Sequence, residues 1–177
     1  GGTTAGTVFK MTPEGALTTL HNFDILNGGT PSAGLLLASD GNFYGTTSIG
    51  GAGAFGTVFK ITPAGTRTTL RSFNGTNGRT PLAGLVQGDD EHLYGTTERG
   101  GSSDRGTVFR ITRSGVHTIL HHFSGPNGMY PRAKLVLGSD GSFYGTTYYG
   151  GQHSFGTVFK ITPGGTHSVL YHFDRSE

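Results

Sequence analysis

Eight histidines, eleven carboxylates and seven tyrosines are the side chains of this 177-residue chain best suited to acid–base, metal or stacking chemistry. The histidines fall into columns. His21, Arg71, His121 and Tyr171 recur at intervals of 50 residues, and Asn22, Ser72, His122 and His172 occupy the next position. A serine–histidine–aspartate relay calls for a nucleophile in a strained setting such as G-x-S-x-G, which the chain lacks. Side chains at one position of a repeated unit point apart, so the columns are not expected to converge on one metal ion. They read as a half-exposed polar row on an outer edge, with His92, His117 and His167 as further surface residues. Asp40, Asp90 and Asp140 supply one carboxylate per turn, far short of the six to eight oxygens calcium takes, and read as turn caps. "GGAG" and "GGTTAG" are followed by no G-K-[ST], so no phosphate loop is expected. Asn74-Gly75-Thr76 fits a glycosylation sequon but reads as serving its own loop. No catalytic residue, metal site or cofactor is expected.

The stretches with freedom to bind something are those that vary. Between a constant "GTT" and a constant "GTVF" the chain reads "SIGGAGAF" from Ser48, "ERGGSSDR" from Glu98 and "YYGGQHSF" from Tyr148. Loops on a rigid frame are where binding residues concentrate. Tyr148 and Tyr149 can stack on a sugar ring, with Gln152 and His153 offering hydrogen bonds. Glu98, Arg99, Asp104 and Arg105 can pair with one another. The candidate ligand-binding residues are therefore Tyr148, Tyr149, Gln152, His153, Arg99, Asp104 and Arg105. The polar exceptions to the repeat look scattered along the chain, which argues against an assembled catalytic centre.

A repeated frame positions these loops. "GTVF" occurs at Gly6, Gly56, Gly106 and Gly156, and Thr12, Gly15, Leu20 and Phe23 recur with the same period. Each unit contains four short segments rich in Val, Ile, Thr, Phe and Tyr, which favour strands. Segment A is "AGLVQG" and its counterparts, B is "FYGTT" or "LYGTT", C is "GTVFKIT" and its variants, and D ends in "LHNF" and its counterparts. Asp-Gly turns join A to B, and "TPEG" and its variants join C to D, so consecutive segments form hairpins. No helical periodicity is present. A four-stranded antiparallel unit of about 50 residues in tandem is the signature of a β-propeller blade. The expected fold is all-β: three full blades (31–80, 81–130 and 131–177) preceded by a C–D half-blade (1–30), in one domain over 1–177. Fourteen strands leave the propeller incomplete or completed by another chain.

The double glycine after segment B resembles the kelch pattern, although the chain has no Trp; Phe23, Phe73, Phe123 and Phe173 are placed to fill that packing role. The consensus "GTVFKITPxG…TLxxF…NGxxPxAxLxxGSDGxFYGTTxxGG" also resembles the GloVer tandem repeat of bacterial secreted and surface proteins, over essentially the whole chain. That resemblance implies an extracellular or cell-surface location and transfers no catalytic residues.

Composition narrows the partners. With 13 basic and 11 acidic residues the net charge is +2, too balanced to point to nucleic acid. No apolar run approaches the ~20 residues of a membrane-spanning helix. Thirty-three glycines sit at repeated positions and read as punctuation, not disorder. A start at Gly1, without an initiator Met, suggests a piece of something longer. The expected function is a non-catalytic extracellular module for adhesion, assembly or ligand binding, with a glycan as candidate ligand. Self-association or further repeats of a longer chain are the expected protein partners. The alternatives are a polysaccharide-active propeller enzyme using a His and a Tyr near the channel, and a subunit of an extracellular fibre.

Overall fold

The computed structural model describes residues 5–176. Its fourteen strands are β1 (Thr7–Met11), β2 (Leu17–Asn22), β3 (Leu36–Leu37), β4 (Phe43–Thr47), β5 (Thr57–Ile61), β6 (Arg67–Ser72), β7 (Val86–Gln87), β8 (Leu93–Thr97), β9 (Thr107–Ile111), β10 (His117–His122), β11 (Val136–Leu137), β12 (Phe143–Thr147), β13 (Thr157–Ile161) and β14 (His167–His172). They form one two-stranded sheet, β1-β2, and three four-stranded antiparallel meanders, β3 to β6, β7 to β10 and β11 to β14. Segments A to D are thus the successive strands of each sheet. The architecture is a β-propeller-like array of three blades and a half-blade.

The inner edges converge. β7 and β11 approach one another, and a Cβ on Gly84 would lie 3.1 Å from the Gly34 carbonyl oxygen. The D strands lie at the opposite, outer edges.

Each blade is stabilised by its neighbours because strand C is apolar on both faces. In β5, Val58 faces the following blade and Phe59 and Ile61 face the preceding one, all fully buried. One interblade core joins Tyr44, Val58 and Phe73 to Leu85, Leu93, Phe109 and Ile111. The next joins Tyr94, Val108 and Phe123 to Leu135, Phe143, Phe159 and Ile161. The phenylalanines ending segment D take the packing role foreseen for them. Phe23, Phe73 and Phe123 meet Phe59, Phe109 and Phe159 edge-on at 5.1–5.5 Å. Burying one such ring contributes roughly 1.5–3 kcal/mol.

Local chemistry explains the repeated letters. The register pairs Gly45 with Phe59; a Cβ there would meet the Phe59 ring at 2.7 Å and Leu35 at 2.8 Å, so the B-strand glycine makes room for the core ring. Each pair of C and D strands carries a bulge opposite Val58 and Phe59 or their counterparts. In β6 the bulge skips Leu70, which turns into the interblade core. Threonine hydroxyls at the ends of strands B and C pair across the sheet, Thr47 with Thr57 at 2.8 Å and likewise in the other blades. The A–B turns are capped as expected: Asp40 accepts from the Asn42 amide and the Tyr44 hydroxyl.

Candidate ligand face on the propeller end

The B–C loops and the D–A connectors lie together on one end of the blades. Short antiparallel bridges join Gly29 to Ile49, Arg79 to Arg99 and Met129 to Tyr149. The connectors make these bridges because Thr30, Thr80 and Tyr130 adopt positive φ, which turns their carbonyls toward the amides of Ser48, Glu98 and Tyr148. Variable positions of neighbouring blades are thereby brought side by side.

In the last two blades these positions form one continuous cluster. Glu98, 8% exposed, accepts from the Arg132 guanidinium at 2.7–2.9 Å. That guanidinium lies 4.2 Å from the centre of the Tyr148 ring. Tyr148 meets Tyr149 edge-on at 4.5 Å, Tyr149 meets Tyr130 at 6.4 Å, and the Arg99 guanidinium lies 4.8 Å from the Tyr130 ring. Tyr148 and Tyr149 are 52% and 46% exposed. The Glu98 carboxylate holds Arg132 more firmly protonated than an isolated arginine. The repeat breaks at every member: Ser48, Glu98, Tyr148; Ile49, Arg99, Tyr149; Thr30, Thr80, Tyr130; and Ser32, Leu82, Arg132 occupy equivalent positions. Exceptions that look scattered in sequence are therefore contiguous in space, which corrects the first expectation.

The charged loop of the third sheet corrects another. Glu98, Arg99, Asp104 and Arg105 do not pair with one another. Asp104 takes a bidentate contact from Arg79 on the connector and accepts from the Gly100 amide; the Arg79 hydrogen bond holds its carboxyl below the usual range. Arg105 donates to the Ser124 carbonyl. These residues fasten loop to connector because they extend from opposite sides of the bridge.

Of the seven candidates, Asp104 is taken up by Arg79, and the other six fall into groups. Tyr148, Tyr149 and Arg99 share the aromatic cluster, extended by Tyr130, Arg132 and Glu98. Arg105 and Gln152 line a neighbouring cleft of about 510 Å³ with Met129 and Ser154. His153 is exposed and lies within electrostatic reach of Asp174. Tyr130 and Arg132 were not among the candidates, which came from the B–C loops alone; their departure from Thr and Leu at +50 spacing is the signal that could have found them.

The histidines do other work. The Nδ1 atoms of His122 and His172 accept from the amides of Ser102 and Gln152, tying loop to outer strand as the Ser72 hydroxyl does for Ala52. His117 and His167 are not surface residues, contrary to expectation: they open the D strands on the face turned to the preceding blade. His117 stacks on Phe109 and meets Phe73 edge-on; His167 stacks on His121. Burial pushes His117 down to about 4, with Arg71 acting in the same direction. Among the described residues no three His, Asp or Glu side chains come together in a metal-binding arrangement.

The family known as the Gloeobacter/Verrucomicrobia repeat matches residues 1–177. The chain belongs to this repeat family. No protein of curated function matches it. Solved structures share the fold of this Gloeobacter/Verrucomicrobia repeat chain at low identity. A gluconolactonase from Xanthomonas campestris is 17% identical with a TM-score of 0.60, over 98% of this chain and 60% of that one. A protein of unknown function from Bacteroides thetaiotaomicron is 20% identical with a TM-score of 0.57, over 93% and 37%. A luciferin-regenerating enzyme is 12% identical with a TM-score of 0.54, over 90% and 51%. The repeat chain therefore spans between about a third and three fifths of these proteins.

Proposed function

We propose that this propeller segment is a non-catalytic binding module, acting outside the cell, that holds a carbohydrate on the end face bearing Tyr130, Tyr148 and Tyr149. The observation that carries this reading is the half-exposed tyrosine cluster flanked by Arg99 and Arg132, assembled only from positions that depart from the repeat. A pyranose ring offers apolar C–H faces to a tyrosine and hydroxyls to guanidinium donors, and both are present within one patch. The cleft beside Met129 extends the same face toward Gln152, enough for a further sugar unit. Resemblance to secreted repeat proteins supports the extracellular setting. A glycan array followed by calorimetry tests the reading: binding of at least one oligosaccharide is expected, weakened tenfold or more in Tyr148→Ala/Tyr149→Ala. An array blank for the intact protein, or binding unchanged in that variant, would reject it.

A second reading, an enzyme acting on a sugar or its lactone, draws on one observation: the structural neighbours include a gluconolactonase. In that case Glu98 and Arg132 are the polar pair nearest the tyrosines, and no histidine belongs to the cluster. Hydrolysis of gluconolactone above the spontaneous rate, abolished in Glu98→Gln, would favour it over simple binding.

A further inference from the structure

Three arginines on the tyrosine-bearing end each lie over an aromatic ring. Arg79 is 5.9 Å from the centre of Phe55, Arg99 4.8 Å from Tyr130 and Arg132 4.2 Å from Tyr148. A guanidinium carries its N–H donors in its own plane, so a ring against its face leaves the donor edge open to an anion. Two of the three edges are filled from within the chain. Arg79 donates from Nε and a terminal nitrogen to the two oxygens of Asp104 at 2.8 and 2.5 Å. Arg132 donates from Nε and a terminal nitrogen to Glu98. Arg99 is the exception: among the described residues it makes no ion pair and its side chain donates no hydrogen bond. Asp104 lies within its electrostatic reach but is already occupied by Arg79 and the Gly100 amide.

The surplus charge belongs to this junction and not to the repeat. The loop 98–105 and the two connectors beside it, 73–82 and 123–132, carry four arginines against two carboxylates, Glu98 and Asp104. Both carboxylates are spent on Arg132 and Arg79, which leaves Arg99 and Arg105 uncompensated. The tyrosine loop 148–155 contributes no acid to balance them. In the neighbouring blades Arg99 is replaced by Ile49 and Tyr149, and Arg105 by Phe55 and Phe155. A cation beside rings that displace water attracts an anion more strongly than one in open solvent, because less water screens it.

Resting on the carbohydrate reading above, we infer that the ligand of this face is an acidic sugar. Its carboxylate or sulfate occupies the open edge of Arg99 as Asp104 occupies that of Arg79, while its ring lies against the Tyr148–Tyr149 pair. A neutral sugar leaves the Arg99 donors facing only hydroxyls and water, whereas an anionic oxygen pair makes shorter, stronger, two-point hydrogen bonds. Arg105, on the wall of the neighbouring cleft, offers a second cation, so a short chain of acidic sugars suits the face better than one acidic residue. A nucleic-acid strand also brings anions and flat rings, but 13 basic residues against 11 acidic ones provide no extended basic track for its backbone.

The test is an array of matched oligosaccharides in neutral, uronate and sulfated forms, followed by calorimetry on the best acidic binder and its neutral counterpart. The acidic form should bind about tenfold tighter than the neutral one. Raising the salt from about 50 to 300 mM should erase most of that ratio. The tighter of the uronate and sulfate arms identifies the anionic group. Arg99→Gln should bring the ratio to within about twofold of unity. Lys10→Gln, which removes a positive charge from the half-blade, should leave the ratio as it is. Binders confined to neutral sugars, or a ratio that survives Arg99→Gln, overturn the inference while the carbohydrate reading stands. A ratio that falls equally in Lys10→Gln overturns it as well, since net charge would then be the cause. A single-stranded oligonucleotide that displaces the best sugar also overturns it, and an array blank for every form rejects both readings.

Discussion

His121 and His167 lie ring over ring across the boundary between two blades, their centroids 3.8 Å apart and their planes 4° from parallel. The stack is compatible with two neutral imidazoles and not with two imidazolium ions. Burial, then His167 and His122, pushes His121 down to about 4, and burial lowers His167 as well. His121 also shares a 3.0 Å contact between its Nε2 and the Asn127 amide nitrogen.

The consequence is acid sensitivity. In the unfolded chain these histidines, and His117 with them, titrate near 6.5, whereas in the fold burial holds His117 and His121 down to about 4 and lowers His167 as well. Between those values the unfolded state binds more protons, so stability falls as pH drops from about 6.5 toward 4. Thermal melting at pH 7.0 and 5.0 should differ by several degrees. His117→Leu, which copies the residue of the first unit at Leu17, should reduce that difference; an unchanged pH response would refute the assignment.

Position along the array should decide the cost of losing a phenylalanine. Phe73 is fully buried between two blades, while its counterpart Phe173 lies half-buried at the end of the array. Phe73→Ala is expected to cost about 3–5 kcal/mol and Phe173→Ala clearly less. Urea titrations of the two variants give the comparison directly.

One turn departs from the repeat at a strained backbone position. Glu91 holds φ 63° where Gly41 and Gly141 stand in the other A–B turns. A left-handed residue with a Cβ costs about 1–2 kcal/mol. Its contact with Arg113, 3.6 Å long with the carboxylate 70% exposed, offsets little of that. Glu91→Gly should therefore raise the melting temperature, despite the usual entropic penalty of adding a glycine.

The Glu98–Arg132 pair is asymmetric. The Glu98 side chain is 10% exposed and Arg132 45%, so removing Arg132 strands a buried carboxylate while removing Glu98 leaves a guanidinium that reaches water and still covers Tyr148. Arg132→Ala should destabilise by about 1–3 kcal/mol and Glu98→Ala by less. A double-mutant cycle read by chemical denaturation will show the coupling.

Strand identity and order were legible in the sequence because short-range chemistry governs them: the Asp-Gly and Thr-Pro-x-Gly turns set hairpins, and alternation in "TVFKI" sets two apolar faces. The roles of Asp40 and its counterparts followed from the same local reasoning. The site was only partly legible. Tyr148, Tyr149 and Arg99 stood out as loop exceptions, whereas Tyr130 and Arg132, on the connectors, were not singled out. The outward reading of His117 and His167 failed because a D strand, though outermost in its own sheet, begins against the blade before it.

The repeat alone determined the four-stranded antiparallel unit, its 50-residue length and its dependence on neighbours, since each is written in turn residues and strand periodicity within a few positions of one another. Which exceptions meet was decided by the tertiary structure. Glu98, Arg132 and Tyr148 lie up to 50 residues apart and come together because a connector with positive φ at Tyr130 crosses from one blade to the next, a geometry set by packing between sheets and invisible to any local pattern.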